Sequence, residues 1–481
     1  MRGAVAAGHP VTAEAGARVL ADGGNAVDAC IAAAFVSWVA ESPLTGPGAG
    51  GFMLVHRARD RSDRLLDFFV EAPGRGLDGG EPAPMEAIDV PFDDLFQRFY
   101  VGASSCAVPG TVAGLGEAHR LYGRIPWPQL VAPAVEAARN GVEVTPEHAV
   151  LFSMLDAVLR RSPDGRRVYG ASAPPPPGTR IVMPDLARTL EGLAADGPDL
   201  LYRGELGRRL SAFVREHGGR ITDADLAAYR VIRRAPVRAP FCGHEFVSNP
   251  PPSAGGVLIA YALRVFERLG PAPSPGTVAL VERVAEVLRE ASRVRGRGFA
   301  TGLRRGGLAA RLLDERTVAE AATRARAKLE PAREPVGAPS TTHVSVVDAA
   351  GNAASLSAST GCGSGVVVPG TGVHLNNMLG EEDLNPEGRR PAPGERLTSM
   401  MSPSLVVRGG RPRLVVGSAG SVRLRGAIAQ IVISVIDQRL PLADALAAPR
   451  IHADGNELHL EGGFAPGVAT GAEALGYRVV R

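Results

Sequence analysis

Lysine is nearly absent from this sequence. The chain has 53 basic residues, and all of them except Lys328 are arginines. They are scattered along the chain, are not interleaved with a stripe of aromatic residues, and leave a net charge of only +3. Proteins that bind nucleic acid usually gather their positive charge in a patch or stripe. The sequence therefore predicts no nucleic-acid partner.

Cysteine is scarce, and no metal-binding pattern is present. The four cysteines, Cys30, Cys106, Cys242 and Cys362, form no C-x-x-C pair and no Cys/His spacing typical of a zinc site. The ten histidines are dispersed and include no H-E-x-x-H pair. We therefore expect no metal and no cofactor. Buried free thiols are favoured over disulfides, although the cysteine count alone does not exclude the latter.

Long apolar runs are also missing. No segment approaches the ~20 consecutive apolar residues of a membrane-spanning helix. The N-terminal stretch "MRGAVAAGHPVTAEAG" lacks the unbroken apolar region of a signal peptide. These absences predict a protein that does not enter a membrane, and the expected location is the cytoplasm.

What is present predicts a large α/β protein. The chain has 481 residues, of which 45% are hydrophobic and 21% charged, so it can bury a sizeable core. A short strand and two Ala-rich helices, the second capped by Asn25, precede the predicted strands "GFMLVHRA" and "RLLDFFVEA". Residues 111–213 are mostly helical, "APVRAPFCGHEFVS" alternates like strands, and "GGVLIAYALRVFERL" is helical. After Thr341 the sequence turns to β-branched strands with one strong helix, "RLRGAIAQIVISVIDQRL", which indicates helices packed on sheets.

Two familiar motifs are disfavoured by their context. Residues 46–51 contain G-x-G-x-x-G, but they follow a helix and open a strand, the reverse of a dinucleotide site. These glycines more simply allow backbone to pass close to backbone or to a ligand. No serine lies in a G-x-S-x-G elbow, and nothing in the sequence supplies a base to Cys362 as a thiol nucleophile.

A cluster of hydroxyl residues stands where a loop meets a strand, in "PSTTH" at residues 339–343. A threonine hydroxyl is a weak nucleophile and needs a base within reach. If the chain is cut just before Thr341, the freed α-amine, with a pKa near ~8, can be that base. Strand alternation would place Thr341, His343 and Ser345 on one face and Thr342 on the other. On these residues alone, β-propensity is the commoner explanation of a Thr-Thr pair.

A series of further motifs runs through the chain in this order: "GGNAVDA", "GAGGFMLV", "VPGTVAGLGEAHRLYGRIPWPQLVAPAVEAARNG", "GGRITDADLAAYRVIRRAPV", "NPPPSAGGV", "TTHVSVVDAAGNAASL", "HLNNM", "SMMSPSLVV" and "VVGSAGSVR". Through them the chain resembles the γ-glutamyltranspeptidase family of N-terminal-nucleophile hydrolases over essentially its whole length. The resemblance implies a four-layer αββα sandwich whose precursor cuts itself before the first Thr of T-T-H. The expected products are a large subunit, residues 1–340, and a small subunit, residues 341–481. Together they would form one intertwined domain, and a dimer of these heterodimers is left open.

The resemblance also implies a two-step acyl transfer and the residues that perform it. Ser340 supplies the carbonyl that is cut, and Thr341 attacks first that carbonyl and later the acyl carbon of a bound amide. Ser359 corresponds to the hydroxyl residue that hydrogen-bonds the nucleophile, and Gly420 and Ser421 correspond to the oxyanion donors. Without the resemblance, Ser359 would be interpreted as a solvent-facing strand residue and Gly420 as a turn glycine.

The residues expected to bind a glutamyl head group depart from the family pattern. Where typical members have D-F-R-E this chain has "DFFV", so Phe69 stands where an Arg pairs with the substrate carboxylate. Met378 takes the Gln position of N-N-Q-M-D-D, and Glu381 takes the Asp position. In S-S-M-S-P the first two Ser assist the substrate carboxylate; of these two, Ser399 is kept and Met400 replaces the second.

Two further differences from the family concern a loop and the C-terminal end of the chain, and one arginine is a candidate replacement for the missing cation. An Asn that follows the second small-subunit strand in the family is lost in a shortened loop, Thr360 to Gly365. Arg75, in "APGRG", is a candidate replacement cation for the substrate carboxylate, although an exposed loop position is the commoner fate of such an arginine. The chain ends at "ALGYRVVR", where typical relatives continue, which indicates either a truncated sequence or a sheet with an uncovered edge.

Three functions follow from these patterns. The first is a γ-glutamyltransferase or glutathione hydrolase with a rebuilt head-group site. The second is an amidohydrolase or acylase of the same fold with a different acyl donor. The third is an unprocessed homologue that binds a ligand without catalysis. For the first two, the expected partners are a small acyl amide and a water or amine acceptor.

Overall fold

The computed structural model describes residues 3–92, 95–296, 298–328, 341–381, 384, 390–420 and 423–480. The chain divides into two compact units. The first combines Met1–Arg234 with Ala338–Leu397, and the second combines Ala235–Gly337 with Thr398–Arg481. Each unit therefore draws on both sides of the expected cleavage point. The division into large and small subunits itself stays a prediction.

The strands of the described residues are β1 (Ala4–Ala6), β2 (Gly50–Arg57), β3 (Ser62–Phe68), β4 (Glu86–Phe92), β5 (Leu95–Val101), β6 (Val142–Glu143), β7 (Arg180–Ile181), β8 (Ile232–Arg234), β9 (Val237–Phe241), β10 (His244–Ser248), β11 (Thr342–Val347), β12 (Ala353–Ser359), β13 (Val367–Val368), β14 (Val373–His374), β15 (Ser404–Arg408), β16 (Arg411–Val416), β17 (Ile451–Asp454), β18 (Glu457–Leu460) and β19 (Arg478–Val480).

The helices of the described residues are α1 (Pro10–Ala21), α2 (Ala26–Ala40), α3 (Thr111–Tyr122), α4 (Trp127–Asn140), α5 (Pro146–Met154), α6 (Asp156–Leu159), α7 (Pro163–Tyr169), α8 (Pro184–Asp196), α9 (Asp199–Tyr202), α10 (Glu205–Glu216), α11 (Asp223–Ala228), α12 (Gly255–Arg268), α13 (Val278–Arg293), α14 (Phe299–Arg305), α15 (Leu308–Leu312), α16 (Glu315–Ala327), α17 (Arg423–Val432), α18 (Leu442–Ala447) and α19 (Pro466–Ala474).

An antiparallel six-stranded sheet, in the order β1-β11-β12-β2-β3-β8, forms the centre of the first unit. Helix α2 packs on β11 and β12 and on α1 and α4, and every one of its residues is buried. Its alanine-rich sequence suits this position, because small side chains let neighbours approach from all sides. Asn25 caps the helix, as predicted from the sequence, and the structure adds that it forms a capping box with Asp28.

The second unit has an antiparallel sheet in the order β16-β15-β10-β9, against which α12 packs. Helices α13, α16 and α17 pack on α12, and a small sheet of β17, β18 and β19 completes the unit. The predicted long helix after residue 422 is regular only to Val432 and continues as a π-helical turn, Ile433–Asp437.

Most of the predicted elements are confirmed, including the two early helices and strands β2, β3, β9 and β10. The hairpin of β4 and β5 was not predicted from the sequence. All four cysteines are free, as favoured from their spacing; Cys242 is half-buried and the others are buried. None of the described helices has the length and apolar character needed to cross a membrane.

Candidate active site

Thr341 lies directly before β11, and its side chain is buried, with 3% of the residue exposed. Along β11 the residues alternate as predicted: Thr342 is buried and His343 is half-buried. The strand is held on one side by β1 and on the other by β12, so the predicted nucleophile precedes an internal strand of the sheet. Ser340 lies outside the described residues.

Both ring nitrogens of His343 lie within hydrogen-bond distance of a serine hydroxyl. Its Nδ1 lies 2.8 Å from Ser357 Oγ, and its Nε2 lies 2.9 Å from Ser345 Oγ. Burial lowers the pKa of His343 to about 3. The ring is therefore neutral near pH 7 and committed to neighbouring strand residues. The role of the freed amine as the base for Thr341 stays a prediction.

Ser359 ends β12 and is buried, with 3% of the residue exposed. The interpretation of Ser359 as a solvent-facing residue, made without the family resemblance, is therefore wrong, because both faces of β12 are covered. Its Oγ accepts a hydrogen bond of 2.8 Å from the N–H of Gly361, and Ser359 pairs with Gly50 of β2.

The glycine-rich segment opens β2 and lets strands approach closely, as its context predicts. A Cβ on Gly50 would lie 2.8 Å from the amide N of Val70, and one on Gly51 would lie 2.4 Å from the carbonyl O of Ser357. Real Cβ atoms do not occupy such positions. These glycines therefore let β2 pack closely against its neighbours β12 and β3.

The shortened loop after β12 presses against the position expected to bind the substrate ammonium. Glu381 Oε1 accepts a hydrogen bond of 3.2 Å from the N–H of Cys362, and Asn377 Nδ2 donates to Cys362 Sγ over 3.0 Å. A Cβ on Gly361 would lie 2.0 Å from Asn377 Oδ1 and 2.7 Å from Glu381 Oε1. Burial, aided by the charge of Glu381, raises the pKa of the Cys362 thiol well above its usual value, which disfavours Cys362 as a nucleophile.

Phe69 is fully buried and makes apolar contacts where the family resemblance expects an arginine. Its ring stacks on that of Phe52, with centroids 5.4 Å apart and an interplanar angle of 19°. Its backbone carbonyl accepts hydrogen bonds from the hydroxyl of Tyr229, at 2.7 Å, and from Nη1 of Arg396, at 2.5 Å. The side chain therefore offers no charge to a substrate carboxylate.

A buried arginine that sequence reasoning missed lies beside this segment. The side chain of Arg396 is 6% exposed and forms ion pairs with Asp67, at 3.4 Å, and Glu71, at 2.9 Å. Its guanidinium also lies over the ring of Tyr229, 4.8 Å from the centroid, and bonds to the backbone carbonyls of Phe69 and Arg230. Two acidic residues flanking a buried apolar strand end were the available signal, since buried carboxylates need a cation.

Arg75, the candidate replacement cation, is already paired. Its Nη1 lies 3.2 Å from Glu71 and 3.7 Å from Asp225, and 30% of its side chain is exposed. Asp225 also accepts hydrogen bonds from the backbone N–H groups of Gly74 and Arg75. Asp225 thus holds both the loop backbone and the Arg75 side chain, and Glu71 pairs with the side chain as well.

Met378, in the first unit, is buried, and its N–H donates to Asn376 Oδ1 over 3.2 Å. The second unit contains Ser399, Met400 and Gly420. Ser399 Oγ accepts from the N–H of Met401 over 3.1 Å, and Met400 is buried.

Gly420 lies in the turn between β16 and α17, with φ of 116°, a conformation that favours glycine. Ser421, the second predicted oxyanion donor, lies outside the described residues. The expected roles of the site residues stay predictions.

Comparison with known proteins relates this geometry to a family. A family model described as Gamma-glutamyltranspeptidase matches residues 12–481. The Acylase ACY 1 proenzyme of Pseudomonas sp. (strain V22) is 34% identical over 100% of this chain and 88% of its own length. The Glutathione hydrolase proenzyme of Pseudomonas aeruginosa is 33% identical over 94% of this chain and 82% of its own length.

Solved structures agree with the sequence comparisons. The cephalosporin acylase from Bacillus halodurans has a TM-score of 0.84 at 27% identity and covers 99% of this chain and 88% of its own. The Gamma-glutamyltranspeptidase from Pseudomonas nitroreducens complexed with L-DON has a TM-score of 0.56 at 29% identity, over 66% of this chain and 93% of its own. The fold is therefore the mixed α/β fold of the N-terminal-nucleophile hydrolases, and this chain belongs to the γ-glutamyltranspeptidase family.

Proposed function

We propose that this protein is an acylase: an N-terminal-threonine amidohydrolase whose acyl donor lacks the α-amino-acid head of a glutamyl group. The observation that carries the proposal is Phe69, which is buried against Phe52 at the position of the family's carboxylate-binding arginine. The 34% identity to a relative named an acylase supports it.

The proposed chemistry begins with cleavage between Ser340 and Thr341, which releases two subunits that together build the four-layer αββα sandwich. The acylase and glutathione hydrolase relatives described above are both named proenzymes, which supports such a step. Thr341 Oγ then attacks the carbonyl carbon of the amide while the freed α-amine takes the hydroxyl proton and passes it to the leaving amine. Water attacks the resulting ester and releases a carboxylic acid and the free threonine hydroxyl.

The ion pairs of the two arginines near Phe69 support an acyl donor that has no carboxylate at this position. Arg396 and Arg75 both form ion pairs with Glu71, and Arg396 also pairs with Asp67. A substrate carboxylate placed here would have to compete with these carboxylates, and a buried carboxylate without its own cation costs about 3 kcal/mol or more. An acyl chain without a carboxylate at this position avoids that cost.

A γ-glutamyl donor is the second candidate. Glu381 keeps an acidic group at the position that meets the substrate ammonium in the family, and the glutathione hydrolase relative is 33% identical. However, Glu381 here accepts the N–H of Cys362, so a substrate ammonium would share the carboxylate with the shortened loop.

A matched set of p-nitroanilides separates the two candidates. γ-Glutamyl, glutaryl and butanoyl anilides share one acyl chain and differ only in the α-amino group and the carboxylate. The acylase proposal expects kcat/KM for the butanoyl anilide, which has no carboxylate, to exceed that for the γ-glutamyl anilide by about tenfold or more, equal to ~1.4 kcal/mol of transition-state stabilisation. The glutaryl anilide, which keeps the carboxylate and lacks the amino group, shows which of the two groups is disfavoured. A γ-glutamyl anilide cleaved fastest would assign the glutamyl function instead. A chain that stays uncut and cleaves none of them would identify a non-catalytic homologue.

A further inference from the structure

Glu41 follows the C-terminal end of α2, and its carboxyl is almost completely buried, with 1% of the residue exposed. It accepts hydrogen bonds from two hydroxyl groups, that of Thr12 at 2.8 Å and that of Thr342. The backbone leaves little space around it, because a Cβ on Gly8 would lie 2.4 Å from Oε2. Glu41 therefore bonds directly to the residue that follows the proposed nucleophile.

No cation pairs with Glu41 among the described residues. Helix α2 is packed by α1, α3, α4, β6, β11 and β12. The ionisable groups on these elements or next to them are Glu14, Arg18, Glu117, His119, Arg120, Tyr122, Glu136, Arg139, Glu143, His343, His9 and His148. Glu117 and Arg120 pair with each other. Glu14 and Arg18 pair with each other at the surface. Burial lowers the pKa of His9, that of His148 to about 4 and that of His343 to about 3, so these rings are neutral.

Burial raises the pKa of Glu41, while its hydrogen bonds from Thr342 and Thr12 act in the opposite direction. A buried glutamic acid whose pKa is raised in this way is stabilised in its charged carboxylate form by a nearby positive charge. In the uncut chain the nitrogen of Thr341 is an uncharged amide. Cleavage would turn it into an amine one residue away from Thr342, and consecutive Cα atoms lie only about 3.8 Å apart.

We propose that Glu41 is a positioning residue for the new N-terminus: it anchors Thr342 through its hydroxyl and supplies the counter-charge of the Thr341 α-ammonium. This inference rests on the proposed function, since it requires cleavage before Thr341. A carboxylate beside an amine favours its protonated form. The amine must be neutral to accept a proton, so Glu41 sets the pH at which activity appears.

The test uses the full chain with Glu41→Gln, which keeps the shape of the side chain and removes its charge. Glu14→Gln, an exposed acid on α1 whose side chain is 58% exposed, is the matched control. The readouts are the rate of chain cleavage on denaturing gels and the pH profile of kcat/KM with the anilide that the wild type cleaves fastest. We expect the acidic limb of the Glu41→Gln profile to move to lower pH by about one unit, with KM within twofold, and Glu14→Gln to match the wild type.

A pair of threonine variants covers the case in which Glu41→Gln does not fold. Thr342→Val removes the hydroxyl and keeps the shape, whereas Thr342→Ser restores the hydroxyl. We expect slower cleavage and lower kcat in Thr342→Val, with rescue in Thr342→Ser.

Unchanged cleavage and an unchanged pH profile in Glu41→Gln, or equal Thr342→Val and Thr342→Ser variants, would overturn this inference alone. A wild-type chain that is never cut would overturn the proposed function as well.

Discussion

The ring of Phe69 stacks on the ring of Phe52, with centroids 5.4 Å apart. Phe52 lies on β2 and Phe69 follows the end of β3, so the pair joins two adjacent strands of the sheet that contains Thr342. An arginine in place of Phe69 would put a positive charge at this position. The stack therefore supplies apolar packing at the position where the family resemblance expects an arginine, and it contributes about 0.5–1.5 kcal/mol beyond the effect of buried area.

Phe69→Arg is expected to raise kcat/KM for the γ-glutamyl anilide by about tenfold, because a bidentate arginine can then pair with the donor carboxylate. The same variant should lower the free energy of unfolding, since an arginine in this buried site loses its hydration. Steady-state kinetics and denaturant unfolding measure the two effects. Phe69→Leu is the control, because it removes the ring without adding charge and should give no gain for γ-glutamyl. An equal gain in both variants would show that space, not charge, limits the donor.

Thr341→Ala is expected to leave a single uncut chain. Wild-type protein should give two bands on a denaturing gel, corresponding to residues 1–340 and 341–481. Thr341→Ser should be cut and retain partial activity, because a serine hydroxyl supports the same attack. Cleavage of the alanine variant at this peptide bond would contradict self-processing by Thr341.

The strand that follows Thr341 could be predicted because its alternating apolar residues have the period of a half-buried strand. The helix capped by Asn25 could be predicted from its capping residues alone. The contacts of Arg396 with its buried partners could not be predicted. The residues bonded to Arg396 stand 329, 325 and 167 positions away, at Asp67, Glu71 and Tyr229, so only the folded chain brings them together. Glu41 gave no signal either, since one acid at the end of an apolar helix is usually exposed.

Arg396→Met is expected to destabilise the protein by about 3–5 kcal/mol, because it removes the buried cation shared by Asp67 and Glu71. Arg390→Met is the matched control, since the Arg390 side chain is 50% exposed and pairs with the exposed Glu81. That change should cost at most about 1 kcal/mol. Urea unfolding of both variants gives the comparison, and equal losses would refute a buried ionic role for Arg396.

Stability should fall as the pH drops from about 6.5 toward 4, the range in which histidines of an unfolded chain gain protons. Burial lowers the pKa of His374 to about 4, so the folded state resists protonation there while the unfolded state does not. The stabilisation is therefore complete above the unfolded pKa and lost as the pH falls through the folded one, by roughly 1.4 kcal/mol per pH unit. His374→Gln should reduce the slope of the pH dependence measured by urea unfolding by the contribution of one histidine, while His148 and His343 keep theirs. His217→Gln, at an exposed position, should leave the pH dependence unchanged. An unaltered slope in His374→Gln would contradict this account.

Gly361→Ala is expected to reduce kcat/KM by at least about tenfold, the equivalent of ~1.4 kcal/mol. The added Cβ would lie 2.0 Å from Asn377 Oδ1 and 2.7 Å from Glu381 Oε1, so both side chains would have to move. Because φ of Gly361 is 67°, the change also strains the backbone, and a control must separate the two effects. Gly178→Ala is that control. It causes the same kind of backbone strain, because φ of Gly178 is 81°, but the added Cβ would meet no atom within 4 Å. Equal losses of activity in the two variants would show that Glu381 and its loop do not shape the donor site.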